Sequence, residues 1–514
     1  MPTPAASVLN TQPEAQSYPP RRVYSVVGVP PEIQAYALAK YSRSSQGMLE
    51  SIQELSAQKA EQFLDTFYFQ YGHRSIADLA HLVFGLEQIS ILAAIAVVDE
   101  PVWDGQERST RYQPFRKTGW HLPSEIAGTA AEAPFAQTAE GLFGAYAGLS
   151  SALLEHLIEA VPRPAELSEG TYRRTLRARA FDVARSLLPL ATHTSVGQIV
   201  SARVLERQIG RLLSSPYAEI RAVGAELKAT CQAPAHAPLS PEPQAAAAPT
   251  LVKYAKASAY LAHSERDLTQ VAEESLRDLG EADRSHAVEL AEPFEDPLRE
   301  MVATLLYRYD RAGHSLRQVH SVVDDLSEAR VDEIFQLSIQ GRGPHDELLR
   351  EHRGGYALTF DMLVDLGSFR DLHRHRRCIQ VQQPVTWAHR FEAADDVFTI
   401  GLGDQAGLNA LEAGLGDSYV QGLEKAAQAA SVVAETAPMA ADYLLPLGYR
   451  THCLFKMDWA EAAYIIEQRT QPQGHFSYRR TAWGMYEALR ARHPQLAEPI
   501  RATDPSGPLD LLRR

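Results

Sequence analysis

The chain is poor in cysteine, in long apolar runs and in positive charge, and each shortage excludes a class of protein. Its 514 residues include three cysteines, Cys231, Cys378 and Cys453, with no Cys-x-x-Cys spacing. This excludes a disulfide framework and a thiolate zinc site, and it predicts a reducing, cytoplasmic location. The longest apolar run, at 89–98, is too short for a membrane span. A net charge of −14 disfavours a nucleic-acid-binding protein, so any basic site must be local.

Length and composition predict a globular protein of more than one domain. Hydrophobic residues make up 45% and charged residues 22% of the chain, and single cores rarely grow past about 250–300 residues. Residues 232–250 carry five prolines among many alanines, which predicts an extended linker. We therefore expect a disordered tail at 1–20, a first lobe at 21–231, a second lobe at 251–495 and a C-terminal tail at 496–514.

The most unusual stretch is a run of arginines that follows a predicted strand. Arg370, Arg374, Arg376 and Arg377 come directly after residues 356–365, which alternate like a strand entering a core. Unpaired cations near a core are costly to desolvate, so the run indicates a bound anion, a set of structural ion pairs or a solvated basic turn. The neighbouring His-x-His pattern has no further ligand at a zinc spacing, so no metal site is predicted.

The second half repeats the landmarks of the first half in the same order. The strand-like segment at 358–368 echoes 82–90, and Ala-Ala-Asp-Tyr-Leu-Leu-Pro-Leu at 440–447 echoes Val-Ala-Arg-Ser-Leu-Leu-Pro-Leu at 183–190. Each half then has a helix that carries an arginine, Arg211 or Arg469. This order predicts two fused copies of one domain that imitate a homodimer, with a chance echo of short apolar strings as the alternative. Periodicity further predicts helices at 91–98, 132–160, 171–188, 200–213 and 217–230.

These landmarks resemble the flavin-dependent thymidylate synthases, whose signature is Arg-His-Arg-x-x-Ser-x-Asn-Glu-x-Ser-x-Arg. The second half keeps the front of the signature, Arg374-His375-Arg376, and the first half keeps the rear in Glu107, Ser109 and Arg111. The corresponding rear positions of the second half hold Ile379, Val381, Gln382, Pro384 and Thr386, and the front positions of the first half hold Asp99, Glu100 and Pro101.

The later landmarks of the family are divided in a similar way. The first half keeps Arg185 in its Ala-Arg-x-x-Leu-Pro helix, where the second half has Asp442. The Gly-His-x-Ser step around His73 is intact in the first half alone. A fused pair could lose complementary parts of the signature and still assemble a complete site from both lobes.

The resemblance implies an α/β fold with two fused synthase-like domains, each a mainly antiparallel twisted sheet packed with long helices. It implies FAD-dependent methylation of dUMP to dTMP, with methylenetetrahydrofolate and NADPH as co-substrates, at composite sites shared by the lobes. The expected assembly is a homodimer that imitates a tetramer, with no nucleic-acid or membrane partner. The alternative is a non-catalytic flavin- or nucleotide-binding relative whose sites have degenerated.

The resemblance also implies a role for each retained residue. The substrate dUMP would contact Glu107, Ser109, Arg111, Arg185 and Arg211, and Arg211 would act catalytically by polarising the uracil ring. The flavin would contact His73, Arg374, His375 and Arg376. Other readings stay open: ion pairs for the arginines, a capping or salt-bridging role for Glu107, and a core or loop position for His73. Ser109 has no neighbouring His base, which favours a hydrogen-bonding role over a nucleophilic one.

Overall fold

The computed structural model describes residues 24, 26, 28–40, 48–53, 74–111, 115, 119–237, 239, 244–343, 346, 348–352, 358–498, 500–507 and 509–512. The predicted tail at 1–20 and the predicted flavin contact His73 lie outside the described residues.

The described residues of the first lobe form three strands between helices. Its described elements are α1 (Pro31–Lys40), α2 (Met48–Gln53), β1 (His81–Ser90), α3 (Ile91–Val98), β2 (Asp104–Glu107), α4 (Glu132–Ala160), α5 (Glu169–Ala184), β3 (His193–Ser201), α6 (Ala202–Leu213) and α7 (Ala218–Gln232).

Where the structure describes the second lobe, it forms four strands and has extra helices before β5. Its described elements are α8 (Ala259–Ser275), β4 (Val288–Ala291), α9 (Pro297–Tyr309), α10 (Leu316–Asp325), α11 (Glu328–Ile339), β5 (Leu358–Asp365), α12 (Leu366–Leu372), β6 (Ile379–Gln382), α13 (Ala394–Leu402), α14 (Asp404–Glu412), α15 (Leu415–Thr436), α16 (Pro438–Ala441), β7 (Arg450–Met457), α17 (Trp459–Arg469), α18 (Phe476–Arg492) and α19 (Pro494–Ala497).

Each lobe has a small antiparallel sheet, which confirms the predicted α/β class. The strand orders are β1-β3-β2 and β4-β5-β7-β6. Of these strands the sequence predicted β1 and β5 but not β2, β3, β4, β6 or β7, and the helix expected at 200–213 begins only at Ala202. Strand β3 alternates buried residues with small or polar ones, and β7 buries His452 and Lys456, so neither looks like an apolar strand.

The turn from strand to helix is built in the same way in both lobes. The Ser90 hydroxyl accepts a hydrogen bond from the Ala93 N–H, and the Asp365 carboxylate accepts one from the Ser368 N–H. Side-chain acceptors at this position satisfy a helix N–H that otherwise has no partner. The same turn therefore begins α3 in the first lobe and α12 in the second lobe.

The two Leu-Leu-Pro-Leu steps pair with each other across the lobes. The Leu190 N–H donates to the Leu445 carbonyl at 2.9 Å, and the equivalent Leu447 N–H donates to the Leu188 carbonyl at 2.9 Å. Two further equivalent bonds flank them, from the Ala191 N–H to the Tyr443 carbonyl and from the Gly448 N–H to the Ser186 carbonyl. Such reciprocal contacts are those of a two-fold interface, so the fused lobes are arranged like the halves of a dimer.

One hydrophobic core passes through both lobes and joins them. It includes Leu188 and Leu190 of the first lobe together with Leu445 and Leu447 of the second, all of them buried. A second core belongs to the first lobe and includes residues 251, 252 and 255, which lie beyond the predicted linker end at 250. In the predicted C-terminal tail, buried side chains at 500 and 511 pack on the shared core.

We expect that adding bulk to Gly448, at the contact between the two steps, will destabilise the fold. A Cβ atom there would lie 2.9 Å from the Ser186 Cβ, so Gly448→Val should lower the free energy of unfolding by about 1–3 kcal/mol through overpacking. In the exposed face of α4, a Cβ at Gly148 meets nothing within 4 Å, and Gly148→Ala should stabilise by about 0.5–1 kcal/mol. Urea denaturation measures the change in unfolding free energy of both variants. Equal changes for Gly448→Val and Gly148→Ala would contradict a tight inter-lobe contact.

Candidate functional site

The two parts of the split signature meet in one chain, at a seam between the lobes. Strand β2 and the residues after it bring 103–111 of the first lobe against 370–376, which form the end of α12 and the following turn. Arg370 donates a hydrogen bond to the Glu107 carboxylate, and Arg374 Nη2 donates to Gln106 Oε1 at 2.8 Å. We call these two segments, 103–111 and 370–376, the inter-lobe seam.

Trp103 forms a flat wall of the seam. Its indole Nε1 donates to Gln198 Oε1 at 2.6 Å, which fixes the ring. The Arg376 guanidinium lies 4.2 Å above the ring centroid and also donates to the Trp103 carbonyl. Burial, with a contribution from the neighbouring Arg374, lowers the pKa of Arg376 to about 10. An anionic ligand beside Arg376 would stabilise the charged form of its guanidinium group.

Buried nitrogen atoms along the seam lack hydrogen-bond partners among the described residues, and one of them, His373 Nε2, lies 3.7 Å from Asp99 Oδ1. They are Arg370 Nε, His373 Nε2 and Arg376 Nε, and the first two residues are only 8% and 7% exposed. A narrow pocket beside them is lined by Ile95, Val98, Trp103, Glu107, Arg370, His373 and Arg374. Leaving buried polar groups unpaired costs free energy, so this pocket suits a ligand that offers acceptor oxygens to the two arginines and a donor to His373 Nε2, whose ring carries its proton at Nδ1 beside Gln380 Oε1.

Two predicted substrate arginines are already engaged with carboxylates. Arg111 Nε lies 2.9 Å from Asp182 Oδ1, and Arg185 Nη1 lies 3.3 Å from Asp371 Oδ2. Both guanidinium groups are buried. Although burial alone would raise the pKa of Asp371, Arg185 and Arg111 hold it below its ordinary value. These arginines therefore do not face the seam as unpaired cations.

Arg469 on α17 joins this group from the second lobe. Its guanidinium carbon lies 5.3 Å from the ring centroid of Tyr478, and the Tyr478 hydroxyl accepts a hydrogen bond from Arg111 Nη1 at 3.2 Å. Arg469 Nε donates to His375 Nε2 at 2.7 Å. Burial, reinforced by Arg469 and the adjacent arginines, lowers the pKa of His375 to about 3. His375 is thus a neutral acceptor that positions Arg469.

Arg211, the predicted catalytic residue, is held within the first lobe. Its Nε donates to Glu100 Oε1 at 3.0 Å and its Nη2 to the Ala96 carbonyl at 2.7 Å. The late-helix arginine whose charge acts on Asp371 is Arg469. Both lobes have such an arginine, and the sequence alone does not show which one reaches the group around Asp371.

The remaining side chains of the rear signature make local contacts. Ser109 Oγ accepts the backbone N–H of Arg111 at 3.2 Å, which fits a hydrogen-bonding residue. Within the described ranges, no three or more His, Cys, Asp or Glu side chains are grouped to hold a metal ion. In that same part of the chain, every helix is too short or too polar to cross a membrane.

Asp442 occupies the second-lobe position that corresponds to Arg185. It accepts a hydrogen bond from the Tyr217 hydroxyl at 2.8 Å. Burial raises the pKa of Asp442 to about 6 from 3.8, despite that bond and the nearby charge of Arg311. The second-lobe position that mirrors Arg185 therefore holds a carboxyl group whose ionised form is disfavoured by burial, where the first lobe has a cation.

Comparisons with known proteins agree with the two-lobe arrangement. A family model described as thymidylate synthase complementing protein matches residues 28–235 and 354–495, one segment in each lobe. A UPF0159 protein of Chlamydia muridarum (strain MoPn / Nigg) is 25% identical over 520 residues, covering 94% of this chain and 92% of that protein. A UPF0159 protein of Thermoplasma acidophilum is 24% identical over 508 residues, covering 91% of this chain and 94% of that protein.

A solved structure also shows a similarity to part of the chain. It is the crystal structure of the flavin-dependent thymidylate synthase ThyX from Helicobacter pylori complexed with FAD and dUMP. The match has 13% sequence identity and a TM-score of 0.23, and it covers 39% of this chain and 89% of that chain.

The Arg370–Glu107 pair should couple the two lobes energetically. Removing Arg370 leaves a largely buried carboxylate unpaired, so Arg370→Met should cost about 3 kcal/mol of unfolding free energy. The double variant Arg370→Met/Glu107→Gln should be less damaging than the sum of the single variants. Urea denaturation of the four proteins measures the coupling. The exposed Arg173–Glu169 pair is the control, and a cycle no larger than its cycle would contradict the assignment.

Replacing Asp442 should remove a pH-dependent loss of stability. Because its folded pKa of about 6 exceeds 3.8, the folded state binds a proton that the unfolded state releases between these values, and stability falls as pH rises through that window. Asp442→Asn keeps an acceptor for Tyr217. We expect a higher Tm than the parent at pH 7 and no gain below pH 3.8. An equal gain at both pH values would mean that ionisation is not the cause.

Proposed function

Because the chain belongs to the thymidylate synthase complementing protein family, we propose that it converts dUMP to dTMP with FAD as cofactor. Methylenetetrahydrofolate would supply the carbon, and NADPH would supply the reducing equivalents. When bound, FAD provides the hydride for this reaction. The rest of the proposal concerns what the side chains of the seam do.

The observation that carries the proposal is the meeting of the two partial signatures. Neither lobe holds the full set of residues, yet Arg370 and Arg374 of the second lobe bind Glu107 and Gln106 of the first. Their separation in sequence is 263 and 268 positions. If the site were only degenerating, we would not expect the residues retained in one lobe to complement and contact those retained in the other.

The residues of the seam fit a flavin nucleotide. Arg374 and Arg376 would neutralise its phosphates, because guanidinium groups form strong charge-assisted bonds with phosphate oxygens. Arg370 Nε would donate to a ring carbonyl oxygen, and His373 Nε2 would accept from a ring N–H, because His373 Nδ1 carries the ring proton that faces Gln380 Oε1. The Trp103 ring, held by Gln198 and 3% exposed, would position the Arg376 guanidinium that lies over it.

Substrate binding falls to the group around Asp371. Arg111 and Arg185, with the Ser109 hydroxyl, would hold the phosphate of dUMP, and Glu107 would orient the pyrimidine edge. We assign the polarising role to Arg469 in place of Arg211, because Arg469 is held near Asp371 by the neutral His375. Developing negative charge on the ring would be stabilised by such a fixed cation.

One observation favours a second candidate, a flavin-binding protein without synthase activity. A phosphate dianion can use Arg185 and Arg111 only by displacing Asp371 and Asp182 from their ion pairs. Breaking buried ion pairs costs free energy, and this cost lowers the affinity for a nucleotide monophosphate. A protein that retains FAD but binds no dUMP would fit this candidate.

Spectroscopy of the full-length protein separates the two candidates. A synthase should purify yellow or take up added FAD, lose the flavin colour with NADPH faster when dUMP is present, and form dTMP when methylenetetrahydrofolate is added. Growth of a thymidine-requiring strain that expresses the chain gives an independent test. Colourless protein that takes up no FAD would refute both candidates.

The two parts of the site should respond differently to substitution. Arg376→Ala removes the cation over Trp103 and should abolish flavin retention. Arg111→Ala should spare the flavin and weaken dUMP binding at least tenfold, because a buried phosphate contact is lost. Absorbance and equilibrium titration measure these losses, with the exposed Arg173→Ala as control. Loss of both ligands in both variants, with unchanged circular dichroism, would contradict a divided site.

A further inference from the structure

The two-fold relation between the lobes assigns each seam residue an equivalent on the opposite side. Helices α3 and α12 begin after the equivalent caps Ser90 and Asp365, so positions along them correspond one to one. Strands β2 and β6 also have equivalent registers, since Glu107 faces Val196 of β3 and Gln382 faces Cys453 of β7. The opposite seam is therefore formed by the end of α3 and the region around β6.

None of the charged seam side chains recurs on that opposite side. Ile95 stands for Arg370, Asp99 for Arg374, Pro101 for Arg376, Gln382 for Glu107, Thr386 for Arg111 and Asp442 for Arg185. The retained cations Arg111, Arg185, Arg370, Arg374 and Arg376 thus lie at or beside one seam, although they come from different lobes, whereas the retained Arg211 pairs with Glu100. The opposite seam has lost the groups that would bind an anionic ligand.

Ion pairs occupy the opposite seam instead. Asp99 lies where Arg374 would be, and Arg350 Nη1 donates to its carboxylate at 2.6 Å while Nη2 donates to its carbonyl at 3.1 Å. The bonds to Asp99 join the second lobe to the first, and a further bond from Arg350 to the Gln380 carbonyl at 2.9 Å holds Arg350 within the second lobe. Although burial opposes ionisation, Arg350 holds the pKa of Asp99 well below its ordinary value.

The next residue, Glu100, is neutralised in the same way. It is 5% exposed, and its carboxylate accepts from Arg207 at 2.6 Å and from Arg211 at 3.0 Å. Both acids at these positions are thus engaged in ion pairs, with the Glu100 side chain buried and the Asp99 side chain 31% exposed. An anionic ligand could bind Arg207, Arg211 or Arg350 only by breaking these pairs, which costs free energy.

We propose that each chain holds one ligand site, at the inter-lobe seam, and that the equivalent opposite position has become an ion-pair lock formed by Asp99, Glu100, Arg350, Arg207 and Arg211. Its Asp99–Arg350 pair joins the two lobes, its Glu100 pairs lie within the first lobe, and the lock binds no cofactor. The identity of the ligand at the seam rests on the proposed function, whereas the lock itself does not.

The first test counts binding sites on the full-length protein. Flavin-free chain is titrated with FAD, and binding is followed by the quenching of flavin fluorescence. We expect saturation at one FAD per chain in the parent and in the Asp99→Asn variant. Saturation at two FAD per chain would overturn the proposal. If no FAD binds, the proposed function fails, and the second test still decides the lock.

The second test measures the lock without any ligand. Asp99→Asn and Arg350→Met should each lower Tm by several degrees, and the double variant should lose clearly less than the sum of the two. Arg350→Lys keeps the charge but loses the two-pronged contact, so it should fall between the parent and Arg350→Met. The exposed Arg330–Glu333 pair serves as the matched control cycle. Additive losses at Asp99 and Arg350 would overturn the lock.

Discussion

Pairing of buried guanidinium groups with carboxylates is the constraint on which the rest of the structure depends. A guanidinium ion cannot lose its proton, so each one that enters a protein interior needs an acceptor there. The seam supplies Glu107 to Arg370, Asp371 to Arg185 and Asp182 to Arg111. Two of these three pairs join residues of different lobes. Ion pairing and lobe docking are thus one event, and the site exists only when the lobes are joined.

Two further features hold the lobes together: the backbone hydrogen bonds between the Leu-Leu-Pro-Leu steps, and the hydrophobic core that both lobes share. Such a reciprocal contact would arise in a homodimer, where every substitution appears twice. Fusion removes this restriction, because each lobe can then change independently of the other. One side could keep Arg374 while the equivalent position became Asp99, and Arg350 could evolve to pair with it. Broken symmetry in the side chains is therefore compatible with preserved symmetry in the backbone.

The same ion pairs determine the free-energy cost of ligand binding. A ligand at the seam meets nitrogen atoms of Arg370, His373 and Arg376 that have no hydrogen-bond partner among the described residues, and the two arginine nitrogens favour acceptor oxygens. Deeper in the seam, Arg185 and Arg111 are available only in exchange for a carboxylate. Flavin binding and nucleotide binding therefore have different free-energy costs. Asp371, which pairs with Arg185 and follows Arg370 in the chain, belongs to both parts of the site.

The sequence by itself determined the repeat, the split signature and the longest elements. Residues 132–160 form α4 and 91–98 form α3 as predicted, because their apolar pattern and helix-forming residues act locally. Strands β3 and β7 were missed because their buried polar residues are satisfied only by partners distant in sequence, such as Asp361 for His452 and Glu300 for Lys456. Only the tertiary structure decided that Arg469 joins the Asp371 group, that Trp103 forms a wall and that carboxylates already hold Arg111 and Arg185. These contacts depend on how the two lobes pack together. A local sequence pattern cannot predict them, because the residues in contact lie far apart along the chain.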